Sequence, residues 1–342
     1  MNKEKEFNNI VFIGRFQPLH NAHVATIKKA LTLAEHLIIV IGSANEPSTF
    51  KNPFSVSARE DILINALSDI DVPEDRYTLV PQIDYLYSDT QWFADVQFKI
   101  STITKSEDKT AIIGYEKDDS SFYLRGFPQW TQIKMPLVEH LSSTDIRNLY
   151  YVENPNLNLI RNVVPKATFE YLEDKVSSEH RINIVNERRY VESYKKQYEN
   201  LPYPPIFVTT DVVVFQAGHV LMVRRKSYPG NGLLALPGGF VNANTDASLE
   251  DAMIRELREE TRIRVPPKIL MSSIKQSKVF DAIERSARGR TITHAFKIEL
   301  NEPELPKVRG ESDASEALWM PINEIQRAQC FEDHYHIINY FI

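Results

Sequence analysis

The amino-acid sequence predicts an α/β protein of two domains, and three observations support this prediction. The chain has 342 residues, which is about twice the length of a common single domain of roughly 150 residues. Between residues 10 and 150, short apolar runs alternate with helix-like stretches. After residue 206 the pattern changes to strand-like segments around one strong helix. We therefore predict a first domain over residues 1–185, a linker over 186–205 and a second domain over 206–342.

The first domain is predicted to contain a parallel sheet. Strands that alternate with helices imply right-handed crossovers, a parallel sheet and a ligand site at the carboxyl ends of the strands. The expected strands lie at residues 10–13, 37–41 and 111–113, and the expected helices at about 21–35, 55–68 and 90–104. Residues 156–200 are charged and helix-like. The pair Pro204-Pro205 that follows is the best candidate for a hinge, because proline blocks helix continuation.

The composition argues against several classes of protein. Apolar residues make up 42% and charged residues 25%, which is ordinary for a globular protein. A net charge of −6 gives no basic surface for a nucleic-acid backbone, and no apolar run approaches the roughly 20 residues of a membrane helix. The single cysteine, Cys330, fits a reducing compartment. We expect a soluble, cytoplasmic protein that binds neither nucleic acid nor membrane, as a monomer or a homo-oligomer.

The first chemical motif, Gly14 to His23, directly follows the first predicted strand and reads Gly-Arg-Phe-Gln-Pro-Leu-His-Asn-Ala-His. Because its end opens a helix, His20 and His23 share one face of the first turn. Unpaired amides and the helix dipole favour an anion there, so the two imidazoles and Arg15 predict a triphosphate site. The alternative is that the histidines only cap the helix. The strand–glycine–arginine context favours the site.

A second motif, Ser142 to Arg147, reads Ser-Ser-Thr-Asp-Ile-Arg. Its hydroxyl residues are typical of a helix N-cap, and we expect Arg147 on the first turn of that helix. An arginine there can bind phosphate oxygens in bidentate fashion.

The two motifs together resemble the paired signatures of the nucleotidyltransferase superfamily named for its His-x-Gly-His motif, in the form of the archaeal-type nicotinamide mononucleotide adenylyltransferases. The resemblance covers about residues 8–150, includes Phe127-Pro128-Gln129-Trp130, and departs from the family at Ala22, where glycine is usual. It implies a Rossmann-like domain that transfers the adenylyl group of ATP to the mononucleotide with the help of Mg²⁺. The alternative is a nucleotidyltransferase for another acceptor, such as a phosphopantetheine or cytidylyl enzyme. Gln17 and the Ser-Ser-Thr form of the second motif argue against this alternative.

The resemblance also implies the roles of individual residues. His20, His23 and Arg147 would be catalytic. Arg59 would hold the phosphate of the mononucleotide, and Asp84 and Trp92 its nicotinamide, although Trp92 is equally compatible with plain core packing. The implied ATP-binding residues are Gly14, Arg15, Phe16, His20, His23, Ser142, Ser143, Thr144 and Arg147.

In the second domain, Gly238-Gly239 precedes a predicted helix over residues 249–261. Glu256, Glu259 and Glu260 fall at helical spacings of three and four, so they converge on one face, where like charges repel one another unless a cation is present. Oxygen ligands on one rigid element predict a site for Mg²⁺ or Mn²⁺. The alternative is a solvated acidic face paired with nearby arginines.

This second motif resembles the Nudix box, and the resemblance extends over about residues 206–342. It implies an α/β/α sandwich with a mixed sheet that hydrolyses ADP-ribose to AMP and ribose 5-phosphate. Glu256 and Glu260 would bind the metal, Glu259 would be a ligand or the catalytic base, and Arg255 would orient the glutamates. The implied ADP-ribose-binding residues are Gly238, Gly239, Arg288 and Arg290.

The box departs from the usual pattern in three places. Ala247 stands where another glutamate is usual, the spacing from glycine to arginine is two residues longer, and Arg262 replaces a glycine. The whole chain resembles bacterial fusions of the two activities, with ATP, nicotinamide mononucleotide and ADP-ribose as substrates. The alternative for the second domain is a non-catalytic ADP-ribose sensor that regulates the first.

Overall fold

The chain forms two compact units, Met1–Val185 and Asn186–Ile342. The structure is a computed structural model that describes residues 5–115, 123–136, 142–301 and 303–342. Within these ranges no helix combines the length and the apolar character that a membrane crossing needs.

The first unit contains a five-stranded sheet with the order β3-β2-β1-β4-β5, and all of its strand pairs are parallel. This confirms the predicted parallel sheet. The strand order reverses next to β1, so a crevice opens at the carboxyl ends of β1 and β4, where such sheets bind ligands. The strands are β1 (Phe7–Gly14), β2 (Ala34–Ile41), β3 (Tyr77–Pro81), β4 (Thr110–Tyr115) and β5 (Thr131–Met135).

The three predicted helices of the first unit are present with shifted ends. The first ends at Leu33 because strand β2 begins at the next residue. The second begins after Ser55, whose hydroxyl accepts a hydrogen bond from the Ala58 amide and so caps the helix. The helices are α1 (Asn21–Leu33), α2 (Val56–Ser68), α3 (Asp89–Ser101), α4 (Ser143–Tyr150), α5 (Asn158–Arg161), α6 (Lys166–Glu170) and α7 (Ser178–Lys196), the last of which begins in the first unit and ends in the second.

The sequence did not predict strands β3 and β5, which are the two edges of the sheet. The central strands are almost fully buried and therefore read as continuous apolar runs, as in the Leu37–Ile41 part of β2. In β5, polar Gln132 and Lys134 alternate with apolar Ile133 and Met135, and no residue of the strand is fully buried. Edge strands bury less surface, so they lack the apolar run on which the prediction depended.

The second unit contains a mixed sheet. Its main order is β10-β11-β6-β7-β12, with β8 paired to β7 and β9 paired to β6. Strand β11 runs parallel to β6, whereas the other pairs are antiparallel. The strands are β6 (Phe207–Gln216), β7 (His219–Arg225), β8 (Leu234–Ala235), β9 (Gly238–Phe240), β10 (Ile274–Phe280), β11 (Thr291–Glu299) and β12 (Ala314–Pro321).

Helices cover both faces of this sheet. Successive side chains of a strand point to opposite faces, so Val212 packs in one apolar cluster with Leu257, and Val213 in another with Ile337. The first cluster includes the helix that carries the predicted glutamates, which confirms the predicted sandwich. The helices are α8 (Leu249–Thr261), α9 (Pro267–Ser272) and α10 (His334–Phe341).

Arg262, which replaces a usual glycine, ends α8 in the left-handed conformation with φ of 48°. This is the backbone region that favours glycine at a helix terminus. The arginine adopts it and forms an ion pair with Glu311. The substitution therefore changes the residue but keeps the turn.

The predicted linker lies partly in a helix. Helix α7 continues to Lys196, and beyond it the ring of Tyr198 packs 5.1 Å from that of Phe207. Glu187, on α7, accepts a hydrogen bond from the Gly230 amide at 3.2 Å. The predicted linker residues 186–205 thus lie within the second compact unit, and the hinge at Pro204-Pro205 stays a prediction.

Candidate active sites

His20 and His23 lie together at the start of helix α1. His20 is the N-cap residue, and its backbone amide donates to Nδ1 of His23 at 3.3 Å. The two rings stack with centroids 3.7 Å apart. Burial and the neighbouring imidazole hold the pKa of His23 well below its usual value. A neutral His23 whose Nδ1 accepts a hydrogen bond carries its proton on Nε2, which can donate to an anion.

The two histidines can therefore cap helix α1 and also bind an anion. The unpaired backbone amides expected at this helix terminus are only partly present. The Asn21 amide donates to the Val163 carbonyl at 3.0 Å, so it is not available to a ligand. An anion at this terminus would depend more on side chains than the sequence suggested.

Gly14 and Phe16 fix the approach of the loop to helix α1. Phe16 is buried with φ of 51°, and a Cβ on Gly14 would lie 2.8 Å from its ring. The ring of Phe16 meets that of His23 edge-on, with centroids 5.0 Å apart. Both residues were predicted to bind ATP. Their contacts give them a role in positioning His23.

Arg147 is 4% exposed and reaches the same loop from helix α4. Its terminal nitrogens donate to the Gln17 carbonyl at 2.7 Å and to the Thr144 hydroxyl at 3.0 Å, and its buried Nε has no partner among the described residues. It is the fifth residue of α4 and lies on the second turn, so the expected position on the first turn is wrong. The reason is that the helix begins at Ser143, early in the motif.

The hydroxyl groups of the Ser-Ser-Thr motif make contacts within the protein. Ser142 accepts a hydrogen bond from the Asp145 amide and caps α4. Ser143 donates to the Pro18 carbonyl at 3.0 Å, which ties the start of α4 to the first motif. Thr144 holds Arg147. These bonds explain why the two motifs occur together, since each positions the other.

Arg59 is 1% exposed and bonds to backbone carbonyls at the ends of two strands. Its NH1 group donates to the carbonyls of Arg15 at 2.8 Å and Gly42 at 2.6 Å. Its NH2 group donates to Ser43 at 3.1 Å and its Nε to Ser55 at 3.2 Å. This geometry makes Arg59 a clamp between the loops after β1 and β2. The implied contact with a mononucleotide phosphate stays a prediction.

Arg15, Arg59 and Arg147 form what we call the arginine cluster. Burial is the main reason why the pKa of Arg59 falls to about 10, a fall that Asp84 opposes and Arg15 increases. Burial also lowers the pKa of Arg147 to about 10, again with a contribution from Arg15. The cluster gathers three positive groups where an anion would reduce their repulsion.

Asp84 and Trp92, implied for the nicotinamide, are both half-buried. Asp84 is close enough to Arg59 to raise its pKa, so it borders the arginine cluster. Trp92 lies against the rings of Phe93, Tyr123 and Phe127 at centroid distances of 5.3, 6.3 and 6.1 Å. Its position at the border of an aromatic cluster leaves both of its predicted roles open.

In the second unit, Glu256 and Glu260 face the glycine pair that precedes helix α8. The Gly238 amide donates to Oε2 of Glu260 at 3.0 Å. A Cβ on Gly239 would lie 2.6 Å from the carboxyl carbon of Glu256, so any larger residue there would displace this carboxylate. Burial raises the pKa of Glu260 to about 8, with Glu256 adding to the rise, and burial also raises the pKa of Glu256.

Glu259 differs from the other two glutamates. Its side chain is 52% exposed and accepts from Arg255 at 3.3 Å. Of the three glutamates predicted to share one helix face, Glu256 and Glu260, four residues apart, lie in line, and Glu259 turns toward solvent. Its role as metal ligand or base stays a prediction.

Arg255 is held by Asp246, a residue that the sequence analysis missed. Nε donates to Oδ1 of Asp246 at 2.9 Å and NH2 donates to Oδ2 at 2.8 Å, and NH1 donates to Glu256 at 2.7 Å. Asp246 directly precedes Ala247, where the usual glutamate was found missing. The second unit therefore has a carboxylate one residue before the position of the usual glutamate, while Ala247 itself stays a departure from the usual pattern.

These residues fit a divalent cation. Among the described residues, no group of three or more histidine, cysteine, aspartate or glutamate side chains is gathered in a metal-binding arrangement. Half-buried Glu256 and buried Glu260 nevertheless repel each other, and a cation would relieve this repulsion. Mg²⁺ commonly binds to one or two carboxylates and completes its shell with water and substrate phosphates.

A second part of this site comes from Phe331, Glu332, Asp333 and His334, which the sequence analysis also missed. Arg285 donates to both carboxylate oxygens of Asp333, at 3.0 and 2.8 Å. The Leu236 amide donates to Nδ1 of His334 at 2.8 Å, and burial lowers the pKa of His334 to about 3. The segment lacks a periodic apolar pattern, and a run of charged residues ahead of a short helix was its only signal.

Arg288 and Arg290, predicted to bind ADP-ribose, have different surroundings. The guanidinium of Arg288 lies 5.0 Å from the ring centroid of Phe240, directly after the glycine pair. Arg290 instead donates to the Asp281 carbonyl at 2.5 Å, across the loop that joins β10 and β11. Only Arg288 is placed beside the glycines.

Comparisons with known proteins give a matching family for each of the two units. Residues 11–149 match the cytidylyltransferase-like family and residues 205–341 match the NUDIX domain. The chain is 36% identical to a nicotinamide/nicotinic acid mononucleotide adenylyltransferase of Acinetobacter baylyi over 175 residues, 51% of this chain and 89% of that protein. It is 31% identical to a nicotinamide-nucleotide adenylyltransferase of Thermococcus onnurineus over 164 residues, 48% of this chain and 81% of that protein.

A solved structure covers the whole chain. It is a bifunctional NMN adenylyltransferase/ADP ribose pyrophosphatase from Francisella tularensis complexed with AMP and an Mn ion, with a TM-score of 0.89, 32% identity and 98% coverage of both chains. The protein thus combines a nucleotidyltransferase and a Nudix hydrolase in one chain. It belongs to the family of bifunctional nicotinamide mononucleotide adenylyltransferase/ADP-ribose pyrophosphatases, which confirms the family predicted from the two motifs.

The clamp role of Arg59 predicts a loss of stability. In an Arg59→Met variant, several buried carbonyls lose their donor, each at a cost of about 1–3 kcal/mol, so we expect the first unit to unfold at a clearly lower denaturant concentration. The stability of an Arg59→Lys variant should lie between those of wild type and Arg59→Met, since lysine keeps the charge but not the forked geometry. Equilibrium unfolding followed by far-UV circular dichroism measures this. A variant with unchanged stability and only a raised KM for the mononucleotide would contradict the clamp and favour the predicted phosphate contact.

The contacts of Asp246 predict that its removal raises the metal concentration needed for hydrolysis. In an Asp246→Ala variant, Arg255 loses its bidentate partner and no longer holds Glu256, so half-maximal hydrolysis should need about 10–100-fold more divalent metal. Ala247→Glu is the matched control and should change this concentration little, because Arg255 already has its carboxylate. Metal titration of the ADP-ribose hydrolysis rate gives both values. The prediction would be contradicted if Asp246→Ala left the required metal concentration unchanged and Ala247→Glu lowered it. Support of the metal site would then belong to position 247.

Proposed function

We propose that the first unit transfers the adenylyl group of ATP to nicotinamide mononucleotide, and that the second hydrolyses ADP-ribose to AMP and ribose 5-phosphate with Mg²⁺ or Mn²⁺. The arginine cluster beside the stacked histidines supports the first activity. Half-buried Glu256 and buried Glu260, both against Gly238-Gly239, support the second activity.

In the first reaction, a 5′-phosphate oxygen of the mononucleotide attacks the α-phosphorus of ATP. A new P–O bond forms as the bond to the leaving pyrophosphate breaks, so no protein nucleophile is needed. Catalysis then consists of positioning and charge stabilisation. Arg15 and Arg147 hold the triphosphate from two sides of the loop, and His20 and His23 donate to its oxygens. Arg59 keeps the loops in place, and Asp84 and Trp92 border the mononucleotide.

In the second reaction, water attacks one phosphorus of the pyrophosphate, and the P–O–P bridge breaks. A bound divalent metal neutralises the phosphate charge and lowers the pKa of the attacking water. Glu256 and Glu260 are its protein ligands, and Arg255 keeps Glu256 in position. Glu259, exposed and close to this pair, is placed to accept the proton of the attacking water.

The sensor alternative for the second unit was motivated by the alanine at position 247. Asp246, the residue before this alanine, gives Arg255 a carboxylate partner, and this supports a hydrolase over a sensor. The matching structure that contains AMP and an Mn ion also fits a hydrolase, since AMP is the expected product. A protein that bound ADP-ribose tightly but never hydrolysed it, at any metal concentration, would be a sensor.

Two sets of substitutions should separate the activities. His20→Ala with His23→Ala should abolish dinucleotide synthesis and leave ADP-ribose hydrolysis within a few-fold, because the groups that bind the triphosphate belong to the first unit. Glu260→Gln should have the reverse effect, since it removes one metal ligand and its charge. Chromatography of the products from ATP plus nicotinamide mononucleotide, and from ADP-ribose plus Mg²⁺, follows both reactions. Equal loss of both activities in a folded variant would contradict the proposal.

The role of Trp92 can be decided in the same assay. If its ring stacks on nicotinamide, Trp92→Ala should weaken mononucleotide binding by about 1–3 kcal/mol, as expected for base–aromatic stacking, and should change the KM for ATP little. Trp130→Ala, which removes a ring stacked on Phe127, is the control for general loss of aromatic packing. Equal effects of the two variants on mononucleotide binding would assign Trp92 to packing.

A further inference from the structure

Two hydroxyl groups tie helix α1 to strand β4. Tyr115 is the last residue of β4, and Thr26 lies on the second turn of α1. Their hydroxyl oxygens lie 2.9 and 3.0 Å from the carbonyl oxygen of Ala22 and 2.9 Å from each other. We call these three groups the hydroxyl triangle. It joins the first turn of α1 to the carboxyl end of β4.

The hydroxyl of Tyr115 is the part of the triangle that links strand and helix. Each hydroxyl group has a single hydrogen to donate, so two hydrogens serve the three contacts. In every pattern that uses both hydrogens, Tyr115 bonds to α1, either at Ala22 or at Thr26. Thr26 is fully buried, where an unbonded hydroxyl is costly. Without Tyr115, Thr26 could still donate to Ala22, but that bond stays within the helix.

The carbonyl held by the triangle belongs to the peptide bond that leads into His23. The imidazole of His23 has the rings of Phe12, Phe16 and His20 around it, at centroid distances of 6.1, 5.0 and 3.7 Å. These rings set the orientation of the imidazole. The hydroxyl triangle sets the position of the backbone from which the imidazole projects.

Strand β4 is a rigid reference for this position. It pairs in parallel with β1, with Ile113 opposite Phe12, and Ile112 and Ile113 are fully buried. Because β1 ends at Gly14, where the first motif begins, the ends of these two strands lie side by side. A helix tied to β4 therefore keeps His23 at a fixed distance from the loop that follows β1.

We propose that Tyr115 is a positioning residue for adenylyl transfer, whose hydroxyl holds the first turn of α1 so that His23 reaches the triphosphate. This assignment rests on the proposed function of the first unit. When the hydroxyl is lost, the helix stays intact but its first turn can move relative to β4. Interactions that strengthen in the transition state determine kcat more than KM, so a displaced His23 lowers kcat.

Steady-state kinetics of a full-length Tyr115→Phe variant test the proposal. The kcat of dinucleotide synthesis should fall about 10-fold, since a displacement of about 1 Å can cost up to about 100-fold, and the KM for ATP should stay within about two-fold. Tyr150→Phe is the matched control, because it removes a tyrosine hydroxyl that donates to the Leu172 carbonyl at 2.7 Å in the same unit.

The two variants separate positioning from general stability. Both lose one hydrogen bond, so each should melt about 2–4 °C below wild type, but Tyr150→Phe should keep its kcat within about two-fold. Equal kcat values in the two variants would overturn the proposal.

A measurement without turnover separates this proposal from the proposed function. Long-range ¹H–¹⁵N spectra show which ring nitrogen of a histidine carries the hydrogen, and a His23→Gln spectrum identifies His23 among the nine histidines. In wild type this should be Nε2, because Nδ1 accepts from the His20 amide. In Tyr115→Phe the signals should shift toward an average of both tautomers, whereas Tyr150→Phe should match wild type.

The spectra and the activity can fail independently. Unchanged His23 signals in Tyr115→Phe would overturn the positioning role, even if the wild-type protein synthesises the dinucleotide. If the signals change but wild-type protein forms no dinucleotide, the hold of Tyr115 on His23 stands and the proposed activity of the first unit fails.

Discussion

The guanidinium of Arg59 donates to carbonyl oxygens at the ends of β1 and β2 and at the start of α2, and the first site depends on these bonds. They hold the loop that carries Arg15 at a fixed distance from the buried core. Arg147 holds the other side of the same loop through the Gln17 carbonyl. Positive groups gathered in this way repel one another, and neutral backbone dipoles keep them together. A bound triphosphate would replace that repulsion with attraction, so the arrangement favours the occupied state.

The second unit also holds groups of like charge together through neutral backbone groups, but here the charges are negative. The amide of Gly238 holds Glu260. Glycine is required at 238 because a Cβ would collide with the backbone of β6, and a side chain at 239 would displace the carboxylate of Glu256. Arg255 neutralises part of this charge and is itself fixed by Asp246. Both units thus hold like charges in a prepared geometry. Preorganised charge of this kind is a major source of catalysis because it needs no rearrangement during the reaction.

Much of this could be predicted from the sequence. The central strands, the helices α1, α2, α3 and α8, and the two motifs follow from local patterns. The sequence could not show that Arg59 is fully occupied by carbonyls, since those partners come from three loops. Asp246 was missed because a motif is recognised by fixed spacings between residues. The spacing from glycine to arginine is two residues longer than usual here, and the carboxylate that reaches Arg255 comes from a different position. The segment from Phe331 to His334 was missed because its partners Arg285 and Leu236 are distant in the sequence.

The contribution of residues 331–334 has a consequence for protein synthesis. Helix α8 and its three glutamates emerge from the ribosome about 70 residues before this segment. Until translation passes His334, Arg285 lacks the two carboxylate oxygens of Asp333, and the Leu236 amide lacks the imidazole acceptor of His334. A nonsense codon anywhere between 262 and 330 would leave the entire Nudix signature in the product. A survey that reads only that signature would count such a truncated gene as encoding a working hydrolase.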